Sequence, residues 1–385
     1  MKRSLLALAA GTFALGIAEF GMMGILGDVA KGIGVDIVKA GHFISAYSLG
    51  VAIGAPGLVV LRNMPLRRLL LLLVAIIAIG NLCAALSFNF TTLLISRFIS
   101  GLPHGAFFGA GAIVCSKLAD QGKGASAVAV MVGGMTVANV IGVPGATFIS
   151  NVLSWRITFA VIAVLGVVAW IGIRCWVPVL SPLPNPGGVK GEFRFLKNAA
   201  PWLIYGGVFF GQASVYCWLS YIEPIMTRVS GYSAADMTWI MMLVGAGMVI
   251  GNMAAGKLAD RYGVSKVCGG AAFAAMLIMV AFYFAASDKT VSAILSFLAP
   301  AMLFAIGGPL QYAIVKFAKG GEMLGGAGIQ IAFNVSNACA AALGGMVINM
   351  GFGMASPSLA GAPLALVGAF MLYLLHKKYR ATPGV

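Results

Sequence analysis

The sequence predicts an all-α membrane protein, with twelve transmembrane helices in two pseudo-symmetric six-helix bundles. Three observations support this prediction: the composition, the spacing of the apolar segments and the distribution of positive charge. The 385 residues are 61% hydrophobic and only 9% charged, whereas soluble domains carry about 25% charged residues. A folded chain with so few polar groups cannot cover its surface for water. Its apolar surface must therefore face lipid.

Apolar segments recur along the chain at lengths near the ~20 residues with which a helix crosses a bilayer. The twelve predicted spans are residues 5–26, 42–61, 66–88, 90–113, 125–149, 156–177, 199–222, 236–258, 264–286, 291–315, 324–347 and 358–375. The first apolar run continues to Leu26, which is longer than the ~7–15-residue core of a secretory signal. We therefore interpret it as a span and not as a cleaved signal peptide.

Positive charge is distributed unequally between the loops on the two sides. With a cytoplasmic N-terminus, 19 of the 25 Lys and Arg residues fall in inner segments, five fall in outer segments, and Arg97 falls within a span. The positive-inside rule then predicts that both termini are cytoplasmic. The net charge of +15 is thus a topology signal, and it gives no reason to expect nucleic-acid binding. We expect a monomer whose partners are a small-molecule substrate, protons and membrane lipids.

One break in composition divides the chain. Residues 178–198 contain four prolines, a Gly-Gly pair and several charges, which are features of a loop. The predicted units are an N-terminal bundle over 1–177, a cytoplasmic linker loop over 178–198 and a C-terminal bundle over 199–385. Similar basic loops follow the second span of each half, beginning at Gly57 and Gly256, which favours an internal repeat over chance similarity. Two such repeats are typical of secondary transporters, whose site lies between the halves near the midplane.

Three ionisable side chains, Glu19, Arg97 and His104, lie inside predicted spans. A charge at mid-span costs ~2.5–3.5 kcal/mol on insertion scales, so such residues need a partner or a use. Arg97 and His104 are seven residues apart and share one helix face. A rise of 1.5 Å per residue puts Glu19 and Arg97 roughly 9 and 10 Å from the outer surface, and His104 roughly 21 Å from it. We expect Glu19 and Arg97 to lie at one depth, where they can pair across a cavity, with His104 nearer the cytoplasm.

These three residues have two interpretations. A carboxylate or imidazole that faces each side of the membrane in turn can take up a proton outside and release it inside, which would couple transport to the proton gradient. The structural alternative is a buried ion pair with a hydrogen-bonded histidine. Under the first interpretation Glu19, Arg97 and His104 are the proton-coupling residues, and the sequence does not decide whether Glu19 or His104 carries the proton.

Uncharged polar residues within spans form a second candidate set, for substrate binding. Gln330, Asn334 and Asn337 share one face of the eleventh span. Gln212 and Tyr216 lie one turn apart on the seventh span. Tyr47, Asn139 and Gln311 are single polar residues in other spans. Such groups can join helices to each other in lipid, or they can line a cavity for a polar, polyhydroxylated ligand. Both interpretations stay open.

The remaining acidic residues and thiols suggest no further site. Asp28, Asp36 and Glu223 fall at the outer boundary, where water reaches them, and we interpret them as solvated loop charges. Six cysteines are scattered over the spans without close pairs, which fits neither a disulfide framework nor a metal site. We expect no enzyme activity, no metal and no cofactor, with the proton gradient as the energy source.

The loop Gly256-Lys-Leu-Ala-Asp260-Arg261-Tyr-Gly263 resembles the signature loop of the major facilitator superfamily, G-x-x-x-D-R-x-G. Its glycines permit a tight turn, and its Asp can cap a neighbouring helix or pair with Arg. The resemblance implies a latch that closes the cytoplasmic side. The first copy of the loop lacks this carboxylate, having Leu61 in its place, although Arg62 is retained.

Two further segments carry the resemblance. Arg97 to Gly105 resembles the superfamily's second motif, whose arginine is linked to proton transfer. The run Gly142-Val-Pro144-Gly145 is similar to the antiporter motif and would act in gating, although that motif normally has Gly and Pro adjacent.

Segments throughout residues 1–375 resemble the drug/proton antiporter branch of this superfamily. The resemblance implies a bacterial inner membrane, roles for Glu19, His104 and Asn334, and proton-coupled export of a small polar solute such as a sugar or sugar derivative by alternating access. The alternatives are a multidrug exporter of the same branch, and a facilitator or importer without proton coupling. A membrane receptor is a third class, which the absence of a sensor domain disfavours.

Overall fold

The computed structural model describes residues 2–56, 61, 64–119, 124–180, 193–318 and 322–379, and it contains no strand within these ranges. The helices are α1 Lys2–Gly24, α2 Leu26–Ile33, α3 Ile37–Gly54, α4 Leu66–Ala85, α5 Phe90–Gly101, α6 Pro103–Leu118, α7 Gly124–Val137, α8 Val143–Val152, α9 Trp155–Trp176, α10 Ala199–Leu219, α11 Ile222–Arg228, α12 Met237–Tyr262, α13 Val264–Ala285, α14 Lys289–Phe317, α15 Glu322–Asn349 and α16 Ser356–Tyr379. A π-helical segment, Ala138–Gly142, joins α7 to α8, and a short 3₁₀ turn, Arg194–Lys197, precedes α10.

Eleven candidate spans in the described ranges are long and apolar enough to cross a membrane, with α5–α6 forming one of them. The seventh predicted span is present as α10, which has 21 residues. It contains Gln212, Ser214 and two tyrosines among its apolar residues. These polar side chains face protein and not lipid, since Gln212, Ser214 and Tyr216 are fully buried. The predicted fold class, two bundles of six spanning helices, is confirmed.

We call the side on which α1 begins and α16 ends the terminal face, and the opposite side the distal face. Several helices that begin at the distal face carry a side-chain cap from their own half. Asp36 accepts a hydrogen bond from the Lys39 backbone N–H at 2.8 Å, and Asp288 accepts one from the Val291 N–H at 2.9 Å. A capping residue of this kind satisfies N–H groups that have no partner within the helix. In each case the capping residue and the capped helix belong to the same half of the protein.

The two halves are joined on the distal side. One large hydrophobic core contains residues of both halves, with α3 packed on α15 and with α8 and the π segment packed on α12. Hydrogen bonds cross between the halves here, from Ser45 Oγ to the Ala338 carbonyl at 3.0 Å and from Asn151 Nδ2 to the Ala234 carbonyl at 2.7 Å. On the terminal side each half has a separate core.

Within the N-terminal half, α3 and α5 pack backbone against backbone. A Cβ on Gly101 would overlap the carbonyl oxygen of Tyr47, so Gly101→Ala is expected to force the helices apart and lower the free energy of unfolding by about 1–3 kcal/mol. Gly133→Ala is the matched control, since a Cβ there has no atom within 4 Å and alanine is the better helix former. Thermal unfolding in detergent measures both variants, and equal midpoints would contradict this account of the contact.

Candidate functional site

Four helices form the site around the intramembrane charged residues. Glu19 lies on α1 and Tyr47 on α3, while Arg97 lies on α5 and His104 on α6. Pro103 begins α6 and has no N–H to donate to the preceding turn, so one backbone hydrogen bond is missing there, although Leu102 keeps helical dihedral angles (φ −49°, ψ −43°). His104 is the residue after this proline. Glu19 is 2% exposed, His104 1% and Arg97 0%.

His104 connects the carboxylate of Glu19 to the phenol of Tyr47. Its Nε2 lies 3.8 Å from Glu19 Oε2, and its Nδ1 shares a hydrogen bond of 2.9 Å with the Tyr47 hydroxyl. The imidazole is also stacked on Phe108, with ring centroids 5.3 Å apart. Among the residues that the structure describes, neither oxygen of Glu19 has a hydrogen-bond partner. A buried carboxylate without such partners is costly, and it is therefore well placed to bind a proton or a polar ligand.

Arg97 is held by groups other than Glu19. Its Nε donates to the Phe43 carbonyl at 3.4 Å, and its guanidinium lies over the Tyr47 ring at 4.4 Å. The two terminal nitrogens have no hydrogen-bond partner. The Glu19–Arg97 pair expected from depth alone is therefore not formed, because the carboxylate contacts His104 instead. The depth estimate assumed that all predicted spans begin at the same level, whereas the contact with His104 puts Glu19 at the depth of that histidine.

The polar residues of α10 and α15 are buried with part of their hydrogen-bonding capacity unused. Gln212 Nε2 donates to the Leu303 carbonyl at 2.9 Å, and Asn334 Nδ2 donates to the Gln330 carbonyl at 3.0 Å. The side-chain oxygens of both residues lack a partner, as do both amide atoms of Asn337 and the hydroxyl of Tyr216. Buried groups of this kind usually find a partner. Here they offer donors and acceptors to a ligand.

The buried polar residues Gln212, Tyr216, Asn334 and Asn337 are here called the amide set. A row of aromatic rings connects this set to the first helix. Tyr216 contacts Phe333 with centroids 5.3 Å apart, Phe333 contacts Phe304 at 6.5 Å, and Phe304 contacts Phe20 at 6.1 Å. Phe20 is the neighbour of Glu19 in the sequence. Glu19, Tyr47, Arg97 and His104 form the charged cluster. This cluster and the amide set therefore lie on either side of the junction between the halves. Sequence reasoning missed these phenylalanines, since Phe occurs 23 times in the chain and no pattern separates these from the rest.

The other predicted binding residues are placed differently. Tyr47 belongs to the charged cluster, as its contacts with His104 and Arg97 show. Asn139 lies in the π segment, and its side-chain oxygen has no partner. Gln311 is half-buried and donates to the Gly326 carbonyl at 3.4 Å, which links α14 to α15. Gln330 is also half-buried, one turn from Asn334.

The predicted gating residues lie at two places. Asp260 and Arg261 are exposed at the end of α12, and Gly263, with φ of +90°, makes the turn into α13. Asp260 forms no hydrogen bond or ion pair with any described residue. A Cβ on Gly256 would meet no atom within 4 Å. Arg62 lies outside the described residues.

The second gating segment surrounds the π helix. Gly142 ends that segment, and a Cβ on it would press on the Ile17 side chain at 2.6 Å. Pro144 is buried at the start of α8. A Cβ added to Gly145 would have no described atom within 4 Å. Single-turn π segments are frequent at functional sites. The predicted antiporter-like run therefore coincides with a departure from regular helix.

Two acidic residues interpreted as solvated loop charges are half-buried and hydrogen-bonded within the protein. Glu223 on α11 is half-buried and accepts a hydrogen bond from the Gly27 N–H of the other half at 2.9 Å. Asp28 accepts one from Ser150 Oγ at 2.6 Å. The prediction failed because it used only distance along the chain from a span, while tertiary packing brings α2, α8 and α11 together. Asp36 is exposed, as expected, and caps α3.

The match to known families extends over most of the chain, with residues 8–328 matching the profile of the Major Facilitator Superfamily. The chain belongs to the major facilitator superfamily. It is a multi-pass membrane transporter, and the resemblance of its motifs to this superfamily is confirmed.

Its relatives include two curated proteins of Escherichia coli (strain K12). It is 44% identical over 384 residues to the "Putative transporter AraJ", with 99% of this chain and 97% of the relative covered. It is 35% identical over 379 residues to the "Inner membrane transport protein YdhP", with 98% and 97% covered. Among solved structures, a bacterial homologue of the human lysosomal transporter Spinster, in an inward-facing and unoccupied conformation, has a TM-score of 0.78 at 14% identity and covers 98% of this chain and 97% of its own. At that identity the likeness concerns the fold.

Proposed function

We propose that this protein exports a small polar solute, such as a sugar or sugar derivative, in exchange for protons. The observation that carries the proposal is the buried Glu19–His104–Tyr47 cluster, in which the carboxylate oxygens have no hydrogen-bond partner. Intramembrane ionisable residues usually mark an ion or substrate pathway. The cluster lies beside the junction of the two halves, where transporters of this type bind their substrate.

The terminal face is cytoplasmic in this proposal, and the membrane is the bacterial inner membrane. The excess of Lys and Arg in segments on the terminal side supports this orientation. The shared distal core and the separate terminal cores then describe an inward-facing conformation, closed to the outside. An exposed Asp260 without a partner fits a cytoplasmic latch that is released in this conformation.

Each group has a role in the transport cycle. In the outward-facing conformation Glu19 or His104 takes up a proton from outside, and the rocking of the halves exposes it to the cytoplasm. Inward movement of one proton supplies about 2.3 kcal/mol per 100 mV of membrane potential. Tyr47 holds the imidazole through Nδ1, and Arg97 favours the ionised carboxylate by its charge. The protein acts as a monomer, with no cofactor and no nucleic acid as a partner.

The substrate class follows from the free hydrogen-bonding groups. Gln212, Tyr216, Asn334 and Asn337 offer neutral donors and acceptors, which suit hydroxyl groups. Aromatic rings such as Phe333 provide flat apolar surfaces against which a sugar ring can pack. The row of phenylalanines also supports a second candidate, export of an amphipathic drug, for which the rings would be the main contact.

Purified protein in liposomes tests both candidates. The vesicles contain a pH-sensitive dye, and a panel of pentoses, hexoses and a cationic dye is offered under an imposed pH gradient. We expect a sugar to move against its own gradient and to cause a proton flux in the opposite direction. Sugar flux without any change in pH would identify a facilitator, and flux of the cationic dye alone would identify a drug exporter.

A further inference from the structure

Helix α2 begins without a cap from its own half. Ile25 occupies the N-cap position and makes no side-chain hydrogen bond to the helix, whereas Asp36 and Asp288 cap α3 and α14. The first N–H groups of a helix have no partner within it, so α2 requires an acceptor from elsewhere. Its start lies on the distal side, directly after the first spanning helix.

The acceptor comes from the other half of the protein. Glu223 on α11 places Oε2 at 2.9 Å from the Gly27 N–H, which belongs to the first turn of α2. A carboxylate at a helix N-terminus both accepts the free hydrogen bonds and interacts favourably with the helix dipole. Only glycine leaves room for it, since a Cβ on Gly27 would lie 2.5 Å from Glu223 Oε2.

Four groups act on the Glu223 carboxylate. Burial and the nearby Asp28 carboxylate disfavour its charge, while the Gly27 N–H, Arg228 and Lys31 favour it. Asp28 is itself held by Ser150 of α8. The contact therefore ties together α2, α8 and α11, which come from both halves.

We propose that Glu223 is a latch that caps α2 across the two halves and thereby holds the distal face closed. In an outward-open conformation the halves must separate on this side, so the Gly27 N–H exchanges the Glu223 carboxylate for water and the stabilising cap is lost. Caps within one half, such as Asp288 on α14, are not affected by that movement. The inference uses the alternating access of the proposed function, but it depends on neither the substrate nor the coupling ion.

The latch has a predictable pH dependence. Burial and the Asp28 carboxylate raise the pKa of Glu223 above its ordinary value in the closed state, whereas an opened distal face would return it to water. The closed state thus binds the proton more tightly. The stability that this proton adds to the closed state is fully present below the ordinary glutamate pKa, and it is lost as the pH rises through the raised pKa of the closed state. Protons arriving from the distal side would therefore favour closure.

Distance measurements between the halves test the latch. Spin labels are attached at Phe88→Cys and Phe352→Cys, two residues on the distal loops that are 75% and 66% exposed, in a background without the native cysteines. Double electron–electron resonance then measures the distances between the two labels without substrate or gradient. The distance distribution gives the ratio of distal-open to distal-closed molecules. We expect Glu223→Ala to raise this ratio about fivefold, the usual effect of removing a cap.

Three further variants make the test specific. Asp288→Ala removes a distal cap within one half and should leave the ratio unchanged. Glu223→Gln keeps an acceptor and should stay closed, but its ratio should depend less on pH than that of the wild type, because only the contribution of Glu223 is removed. Gly27→Ala should open the distal face by displacing the carboxylate, while Gly270→Ala, whose built Cβ has no neighbour within 4 Å, should not.

An unchanged ratio in both Glu223→Ala and Gly27→Ala would overturn the proposal, as would equal opening in Asp288→Ala. If Glu223→Ala does not fold, the pH response of Glu223→Gln and the opening of Gly27→Ala decide the question. A failure of the proposed transport function would appear in the liposome assay and not in these distances.

Discussion

Replacing Glu19 with glutamine is expected to abolish proton-driven accumulation of the solute and to leave exchange of solute across the membrane intact. Glutamine has the size of glutamate and can place an amide oxygen beside His104 as the carboxylate does, so the packing at this buried position is retained. It cannot bind and release a proton at physiological pH, so the movement of solute is no longer coupled to the gradient. At 100 mV one coupled proton supports about a 50-fold accumulation, and this factor should fall to about one.

Liposomes with an imposed potential measure accumulation, and counterflow without a gradient measures exchange. Asp36→Asn is the matched control, because it also removes one carboxylate but lies exposed on the distal side, where asparagine can still cap α3. His104→Asn identifies the carrier. Loss of coupling in His104→Asn with normal coupling in Glu19→Gln would assign the proton to the histidine. Normal coupling in both variants would refute the proposed role of the cluster.

The sequence was sufficient for the fold and for the choice of charged residues because both depend on one-dimensional properties. Hydropathy determines which segments face lipid, and it places Glu19, Arg97 and His104 inside spans. The apolar pattern of residues 199–222 likewise predicted α10 as a span, although this helix contains Gln212 and Ser214. Helical periodicity then gives the face and depth of a residue along one helix.

The partners of these residues could not be obtained in this way, because they depend on how helices meet. Arg97 was expected to face Glu19, but the packing of α1, α3 and α6 puts His104 beside Glu19 and Arg97 over Tyr47. Glu223 lies only a few residues beyond a span, and nothing in its surroundings along the chain indicates that it caps a helix of the other half. Contacts of this kind arise from tertiary packing, which a periodic pattern does not encode.

The second large effect is expected at Gly245, where α12 of the C-terminal half passes the π segment of the N-terminal half. A Cβ on Gly245 would overlap the carbonyl oxygen of Asn139, and a backbone group cannot rotate away as a side chain can. Gly245→Ala should therefore destabilise the closed distal interface by about 1–3 kcal/mol, a roughly 5- to 150-fold shift toward the distal-open form. Solute transport should fall accordingly, because the cycle requires both conformations.

The labels at Phe88→Cys and Phe352→Cys report the shift, and Gly270→Ala again serves as the control with open space around its Cβ. The variant should remain folded, because the two cores on the terminal side do not contain Gly245. A Gly245→Ala protein that still closes its distal face would mean that α12 and the π segment can move apart locally. Closure would then depend on the packing of α3 against α15 and on the Glu223 cap, and the loss of Glu223 should have a larger effect in that variant than in the wild type.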